Sequence, residues 1–427
     1  MSGSRASSGP SDRTAAPEDA GPRGRRLMAW ATSRPGATIL LVAVTVAVRL
    51  AYVAKSGIVA GGDTSLYLRI GESFADGAPT TGGFPAHVLY GIMLAPSFLL
   101  GIGLETWVTV LHLACAVATA VLVHRTALLF AGPLGSLAVG LATGLLPTAV
   151  FWSNYILTET LFLLVMAAFA YACARTLSDP RLKFALAAPL ATATLLLVTR
   201  PVGLPVAAAG LGFVLWALVA ERAGERQARR VVTAAVALAL IAATAVMAAP
   251  PTRDAVLSNK TIVASLWNST RIWHAGNGHV SAGVTLPEDI ARLSPADQRE
   301  EQRERALNYI GEQPAEYLGK ASIRFASFWF PWATATWSPA HKLTDLLLPV
   351  ALIGLALYSL VRPPPGCGRR IVYLLAALAL VQGVLVMFSQ IDTEGRYRLP
   401  AELVLLPLAA LAVDRIALKR RSGRQAA

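Results

Sequence analysis

Charge is scarce in this chain. Only 15% of its 427 residues are Asp, Glu, Lys or Arg, where a soluble protein carries about one quarter. That deficit argues against a soluble enzyme. A disordered polar chain is excluded as well, because 55% of the residues are hydrophobic and the mean hydropathy is +0.53. Cysteine is nearly missing: Cys115, Cys173 and Cys367 are an odd number without paired spacing, which excludes a disulfide framework and a CxxC metal knuckle. Histidine is sparse too, and none of the six makes a recognisable pair with Ser or Asp, which counts against a His-centred acyl- or phosphotransferase. Nor is there the inverted repeat of broken helices that marks many transporters. Acidic residues number 25 against 38 basic ones, leaving a formal charge of +13. Such an excess points either to nucleic acid or to the positive-inside pattern of a bilayer protein, and the positions of the charges decide between them.

What the chain does have is long apolar runs. A membrane span needs about 17–25 predominantly apolar residues, and ten stretches qualify as candidates: Ala37–Val53, Trp107–Phe130, Leu134–Trp152, Glu159–Ala174, Ala185–Val198, Leu204–Val219, Val231–Ala249, Leu346–Val361, Ile371–Phe388 and Leu399–Ile416. With the N-terminus inside, the short inside segments hold 22 Lys and Arg and the short outside segments hold 5. Short-loop basic residues set topology, so this contrast orients the chain and removes the nucleic-acid reading. It also settles an eleventh stretch, Val88–Gly103. If that crossed, His124 and Arg125 would move outside and every later loop would invert, so it reads as a re-entrant or interfacial segment, with Pro85, Pro96, Gly91, Gly101 and Gly103 to bend it.

The expected fold is thus an all-α polytopic membrane protein of about ten transmembrane helices. Its parts are a disordered cytoplasmic N-terminus (1–35), an N-terminal transmembrane module (36–249) with its first outside loop at 54–106, a long extracytoplasmic loop (250–344), C-terminal transmembrane helices (345–416) and a basic tail (417–427). Both termini are expected in the cytoplasm. The Arg-rich, Lys-poor basic set reads as a high-GC bacterial bias, which places the chain in a bacterial plasma membrane.

Chemistry is expected where polar residues interrupt the outer ends of these spans. In the first loop Leu66, Tyr67, Ile70 and Phe74 fall at helical spacing after Gly61-Gly62-Asp63, a short amphipathic helix with Asp63 at its N-cap. Asp63 either simply caps that helix or serves as a general base, and the two roles are compatible. Glu159 opens a helix beside Thr158; the helix dipole alone accounts for an acid there, yet an acid at the edge of an apolar bundle is costly unless paired or wet. Thr199-Arg200-Pro201 and Arg396-Tyr397-Arg398 place three guanidiniums in two short outside turns. Snorkelling to lipid headgroups explains each singly, but together they suit a shared phosphate. Carboxylate and guanidiniums in one outward cavity fit glycosyl transfer from a lipid phosphate, because soluble nucleotide sugars are not expected outside a bacterial membrane. A lipid-carrier flippase or transporter, which needs no base, is the alternative.

In the order of these segments the chain resembles the GT-C superfamily, specifically the polyprenyl-phosphate-sugar transferases related to protein O-mannosyltransferases and lipid A aminoarabinose transferases. The resemblance runs through Gly62-Asp63 with Tyr67, a Pro-led apolar segment, His124-Arg125, Leu157-Thr158-Glu159-Thr160-Leu161-Phe162, Thr199-Arg200-Pro201 and Arg396-Tyr397-Arg398-Leu399-Pro400, covering most of Ala37–Ile416. It implies that Asp63 is the first-loop catalytic acid, that Glu159 is the second outside acid, and that Arg200 and Arg396 contact phosphate, with Tyr67 and Arg398 beside the substrate. It also implies a polyprenyl-phosphate-linked sugar as donor and a lipid, glycan or protein acceptor. The family often has Asp-Glu where this chain has Asp63-Thr64, and there is no DxD pair. A divalent metal therefore has only Asp392 and Glu394 as further oxygen ligands, and these read more readily as a solvated turn. His87, beside the re-entrant segment, and Trp273, in the aromatic stretch Trp267–Gly278 of the long loop, complete the candidate substrate contacts; for each a packing role is the simpler reading.

Overall fold

The computed structural model describes residues 29–78, 88–179, 186–200, 202–223, 286–330, 339–389 and 396–425, with a few positions of 263–270. Five helices are long and apolar enough to cross a membrane, and no strand accompanies the helices among the described residues beyond one isolated bridge. The protein is a helical membrane protein.

The first helix, α1 (Arg34–Ser56), starts where the Ser33 hydroxyl accepts the Gly36 amide and ends at Gly57, whose φ of 68° turns the chain out of the helix. Within α1 the buried Arg49 donates to the Ala149 carbonyl, which satisfies part of an otherwise costly intramembrane cation. Next comes the amphipathic α2 (Thr64–Ala75), which buries Thr64, Tyr67, Ile70 and Gly71 along one face. It lies against α3 (Val88–Leu99), and the two approach closely because glycines meet there. A Cβ on Gly71 would sit 3.0 Å from the Gly91 carbonyl oxygen. At about 1.5 Å rise per residue, the 12 residues of α3 extend about 18 Å, short of the roughly 30 Å of a hydrocarbon core.

The chain continues through α4 (Leu104–Ala127), α5 (Pro133–Leu145), α6 (Pro147–Trp152), α7 (Glu159–Ser178), α8 (Ala187–Thr199) and α9 (Gly203–Ala223), of which α4 and α8 pack against α3. The single span expected at Leu134–Trp152 is two helices. Leu146, with ψ at 113°, is extended because Pro147 follows it, and the break turns α6 toward the site. The expected span Ala185–Val198 is a helix of 13 residues. Three elements, α10 (Glu288–Ala291), α11 (Pro295–Glu312) and α12 (Pro314–Trp329), belong to the expected long loop. The bundle closes with α13 (Pro339–Val361), α14 (Cys367–Ser389) and α15 (Leu399–Gln425). Residues 399–412 of α15 are buried throughout, so this last helix is the pillar against which α4, α5, α7, α13 and α14 pack. Its far end is pinned by Asp414, which accepts the Gly132 and Gly135 amides at the start of α5 at 2.5 and 2.8 Å. The expected span Val231–Ala249 and residues 1–28 of the expected disordered N-terminus lie outside the described residues, whereas 29–35 are ordered, with a helical turn at 29–31 ahead of α1.

Candidate functional site

The loop leaving α1 runs beside the turn between α6 and α7, and backbone hydrogen bonds join them. Val59 N–H donates to the Asn154 carbonyl at 2.8 Å and the Val59 carbonyl accepts from Ile156 N–H at 3.0 Å, a parallel bridge of two segments distant in sequence. The Asn154 side chain adds a bond from Nδ2 to the Gly57 carbonyl at 2.9 Å. A second fastening is the Thr64 hydroxyl, which donates to the Ile156 carbonyl at 2.9 Å and accepts from Gly61 N–H at 2.7 Å. Gly61 itself lies on Leu157, where a Cβ would come within 2.8 Å of a Leu157 methyl.

These ties decide what Asp63 can do. It occupies the N-cap of α2, but its side chain makes no capping hydrogen bond. The Asp63 carboxylate, 58% exposed, faces Arg396, whose Nη2 is 4.0 Å from its Oδ2. Beneath them Glu159 is 2% exposed. Its Oε1 accepts from Arg200 Nη1 at 3.0 Å and from Arg396 Nε, so one carboxylate oxygen holds two guanidiniums. Its Oε2 has no hydrogen-bond partner among the described residues. Burial works to lower the basicity of Arg396, but the attraction of Glu159 outweighs it, so the guanidinium stays charged. Aromatic rings form the walls: Arg200 Cζ is 5.6 Å from the Phe162 ring and 5.7 Å from Tyr397, and Arg396 Cζ is 5.5 Å from Trp152 and 5.7 Å from Tyr397. Tyr397 thus serves both arginines.

On the other side, Tyr67 is buried at the base of α2. Burial first, then the nearby Asp63 and Glu159 carboxylates, push its phenol up to about 12. Its ring meets Tyr90 edge-on at 5.2 Å. The Tyr90 hydroxyl is 2.9 Å from His112 Nε2, and His112 Nδ1 is 2.7 Å from the Ser153 carbonyl. That carbonyl can only accept, so Nδ1 donates to it and Nε2 accepts a hydrogen bond from the Tyr90 hydroxyl. The chain of contacts supports the turn that carries Glu159.

Asp63, Glu159, Tyr67, Arg200 and Arg396 are therefore brought together. Arg398 is not available to a substrate: it is 0% exposed, and its Nε donates to Glu402 at 2.6 Å one turn along α15. Glu159, expected to act as a second acid, sits below the guanidiniums, a position suited to orienting them. His87, Trp273, Asp392 and Glu394 lie outside the described residues. No group of three or more His, Cys, Asp or Glu able to hold a metal occurs among the described residues, and Arg396 stands between the two carboxylates of the site. The residues not anticipated as parts of the site are Trp152, Phe162, Tyr397, Thr64 and His112. Tyr397 and Phe162 carry a readable signal, being one residue from Arg396 and one helical turn from Glu159. In chemical terms, an exposed carboxylate stands next to two partly covered guanidiniums anchored from below, an arrangement able to take a proton on one side and hold an anion on the other. Compared with known proteins, the chain matches no family model, no curated sequence and no solved structure.

Proposed function

We propose that this chain is an integral-membrane glycosyltransferase that moves a sugar from a polyprenyl-phosphate carrier to a lipid, glycan or protein acceptor. In this reading about ten segments cross a bacterial plasma membrane, α3 is a re-entrant element, both termini are cytoplasmic and the Asp63 cluster faces outward. The short-loop basic residues, 22 inside against 5 outside, support that orientation, and the order of motifs shared with the GT-C superfamily supports the donor class.

Asp63 takes the proton of the acceptor hydroxyl, the acceptor oxygen bonds to the anomeric carbon, and the bond from that carbon to the phosphate oxygen breaks with its electron pair going to the phosphate. Arg200 and Arg396 stabilise the charge that builds there, and Glu159 fixes both in place. The observation that carries this reading is the exposed Asp63 carboxylate at 4.0 Å from Arg396, a guanidinium held from below by the buried Glu159. The test uses the full chain in nanodiscs with synthetic polyprenyl-phosphate hexoses and pentoses, following release of the lipid phosphate. Asp63→Asn is expected to abolish release without changing the unfolding midpoint. Wild-type turnover in a folded Asp63→Asn protein would overturn the assignment.

A further inference from the structure

The opposite end of the bundle carries a second convergence of arginines that plays no part in the reaction above. There α13 ends at Val361, and Arg362 follows it, while Arg415 projects from α15 alongside. Both reach the same ring: their guanidinium carbons lie 5.8 and 5.6 Å from the centroid of Tyr358. The spacing of the two helices is fixed by the buried Ser359 hydroxyl, which donates to the Leu408 carbonyl at 2.7 Å.

At this same end Arg370 reaches Glu221 at 3.2 Å and Arg175 reaches Asp179 at 3.8 Å. Arg362 and Arg415 have no carboxylate within ion-pair distance among the described residues, so two like charges share one aromatic platform with nothing of opposite sign between them. Apolar side chains are exposed beside them, and Lys419 follows one turn after Arg415. Leu357, Val361, Ile416 and Leu418 are 54%, 78%, 51% and 61% exposed; Leu357 adjoins Tyr358, and the other three lie within a turn of Arg362 or Arg415. Paired guanidiniums match a phosphate with their planar donor forks. The apolar rim separates the possible sources of that phosphate, since a soluble anion makes no use of it and acyl chains do.

We propose that Arg362, Tyr358 and Arg415 bind the headgroup phosphate of an anionic phospholipid, whose acyl chains lie along Leu357, Val361, Ile416 and Leu418. Basic clusters where helices leave the bilayer are the usual receptors for such headgroups. The site is separate from the Asp63 cluster and stands whether or not the proposed transfer reaction does.

The test reconstitutes the full chain in phosphatidylcholine nanodiscs with increasing phosphatidylglycerol and counts retained lipids by native mass spectrometry. The wild-type protein is expected to retain phosphatidylglycerol above its bulk fraction. Arg362→Gln with Arg415→Gln should weaken that retention by clearly more than the roughly thirtyfold that losing any two arginines near an anionic surface brings, at about fivefold each. A control that removes the same charge from the same end, Arg125→Gln with Arg369→Gln, should lose no more than that generic roughly thirtyfold. Tyr358→Leu keeps both charges and should weaken retention about fivefold, which preserves the test if the double variant does not fold. Equal losses in the two double variants would overturn the proposal in favour of a diffuse basic surface. Displacement of phosphatidylglycerol by inorganic phosphate at millimolar concentration would overturn it in favour of a soluble anion.

Discussion

Replacing Glu159 by Gln tests the heart of the cluster, because it removes one charge while keeping the shape of the side chain. The site is 2% exposed, so water cannot take over the role of the lost carboxylate. Arg200, 3.0 Å from Glu159, loses its counterion and Arg396 its nearer one, with Asp63 at 4.0 Å remaining, and their side chains are only 11% and 19% exposed. A hydrogen bond to a charged group contributes about 1.5–3 kcal/mol, and removing one partner of a buried pair costs about 3–5 kcal/mol. The amide oxygen of Gln still accepts from one arginine, which places the expected loss near the lower end, about 3 kcal/mol. Denaturant unfolding in a fixed detergent reads this directly, and a double-mutant cycle isolates the pair. Arg200→Gln should be at least about 1.5 kcal/mol less costly in the Glu159→Gln background than in the wild-type protein. The reasoning is refuted if Glu159→Gln unfolds within about 0.5 kcal/mol of wild type, or if Arg200→Gln costs the same in both backgrounds.

Three further outcomes follow from the same contacts. Gly61→Ala should lower stability by about 1–3 kcal/mol through overpacking against Leu157; adding Leu157→Ala should cost less than the two single changes summed, and strict additivity would show that the contact is not tight. Thr64→Val leaves the Ile156 carbonyl and the Gly61 amide without their hydroxyl partner, for a loss of about 1–3 kcal/mol and faster hydrogen exchange at Gly61; unchanged exchange would refute the fastening role. Stability should also fall as pH rises from about 10 to 12, because the native Tyr67 phenol, raised to about 12, keeps its proton where the unfolded phenol has lost it. Between those values the native state binds more protons than the unfolded one, so up to about 3 kcal/mol is lost with rising pH at about 1.4 kcal/mol per pH unit. Comparing unfolding midpoints of wild type and Tyr67→Phe over that window isolates the contribution, and identical slopes would refute it.

Much of the helical layout is readable from apolar runs alone. The run Ala37–Val53 lies inside α1, Glu159–Ala174 inside α7 and Ile371–Phe388 inside α14, because a segment in a bilayer has to satisfy its backbone within itself. Hydropathy does not register backbone direction, however, and so Leu134–Trp152 reads as one span although Pro147 divides it. At the site, residue type and position at helix ends bring out Asp63, Glu159, Arg200 and Arg396, while the partner each takes depends on tertiary packing. Glu159 finds arginines 41 and 237 residues away, separations that no local pattern encodes. The placement of Asp63 shows the same limit. Its position suggests a cap, but its side chain makes no capping bond and the carboxylate turns toward Arg396, a partner only the tertiary fold supplies. Arg398 is the reverse case: its place in a basic turn suggests a substrate contact, but a local carboxylate one helical turn on, Glu402, holds it instead.

The sequence distances within the Glu159 cluster have a consequence for how the protein is made. Glu159 enters the bundle before either counterion has been synthesised. Arg200 follows 41 residues later, and Arg396 only after 237. At about 5–20 residues per second, that second wait lasts roughly 12–47 seconds. For this interval the newborn chain holds its buried acid with one guanidinium, and Asp63 has nothing opposite it. The turn at the start of the last helix therefore completes the charge balance of the first half, and a chain cut short before Arg396 would hold the buried Glu159 with a single guanidinium.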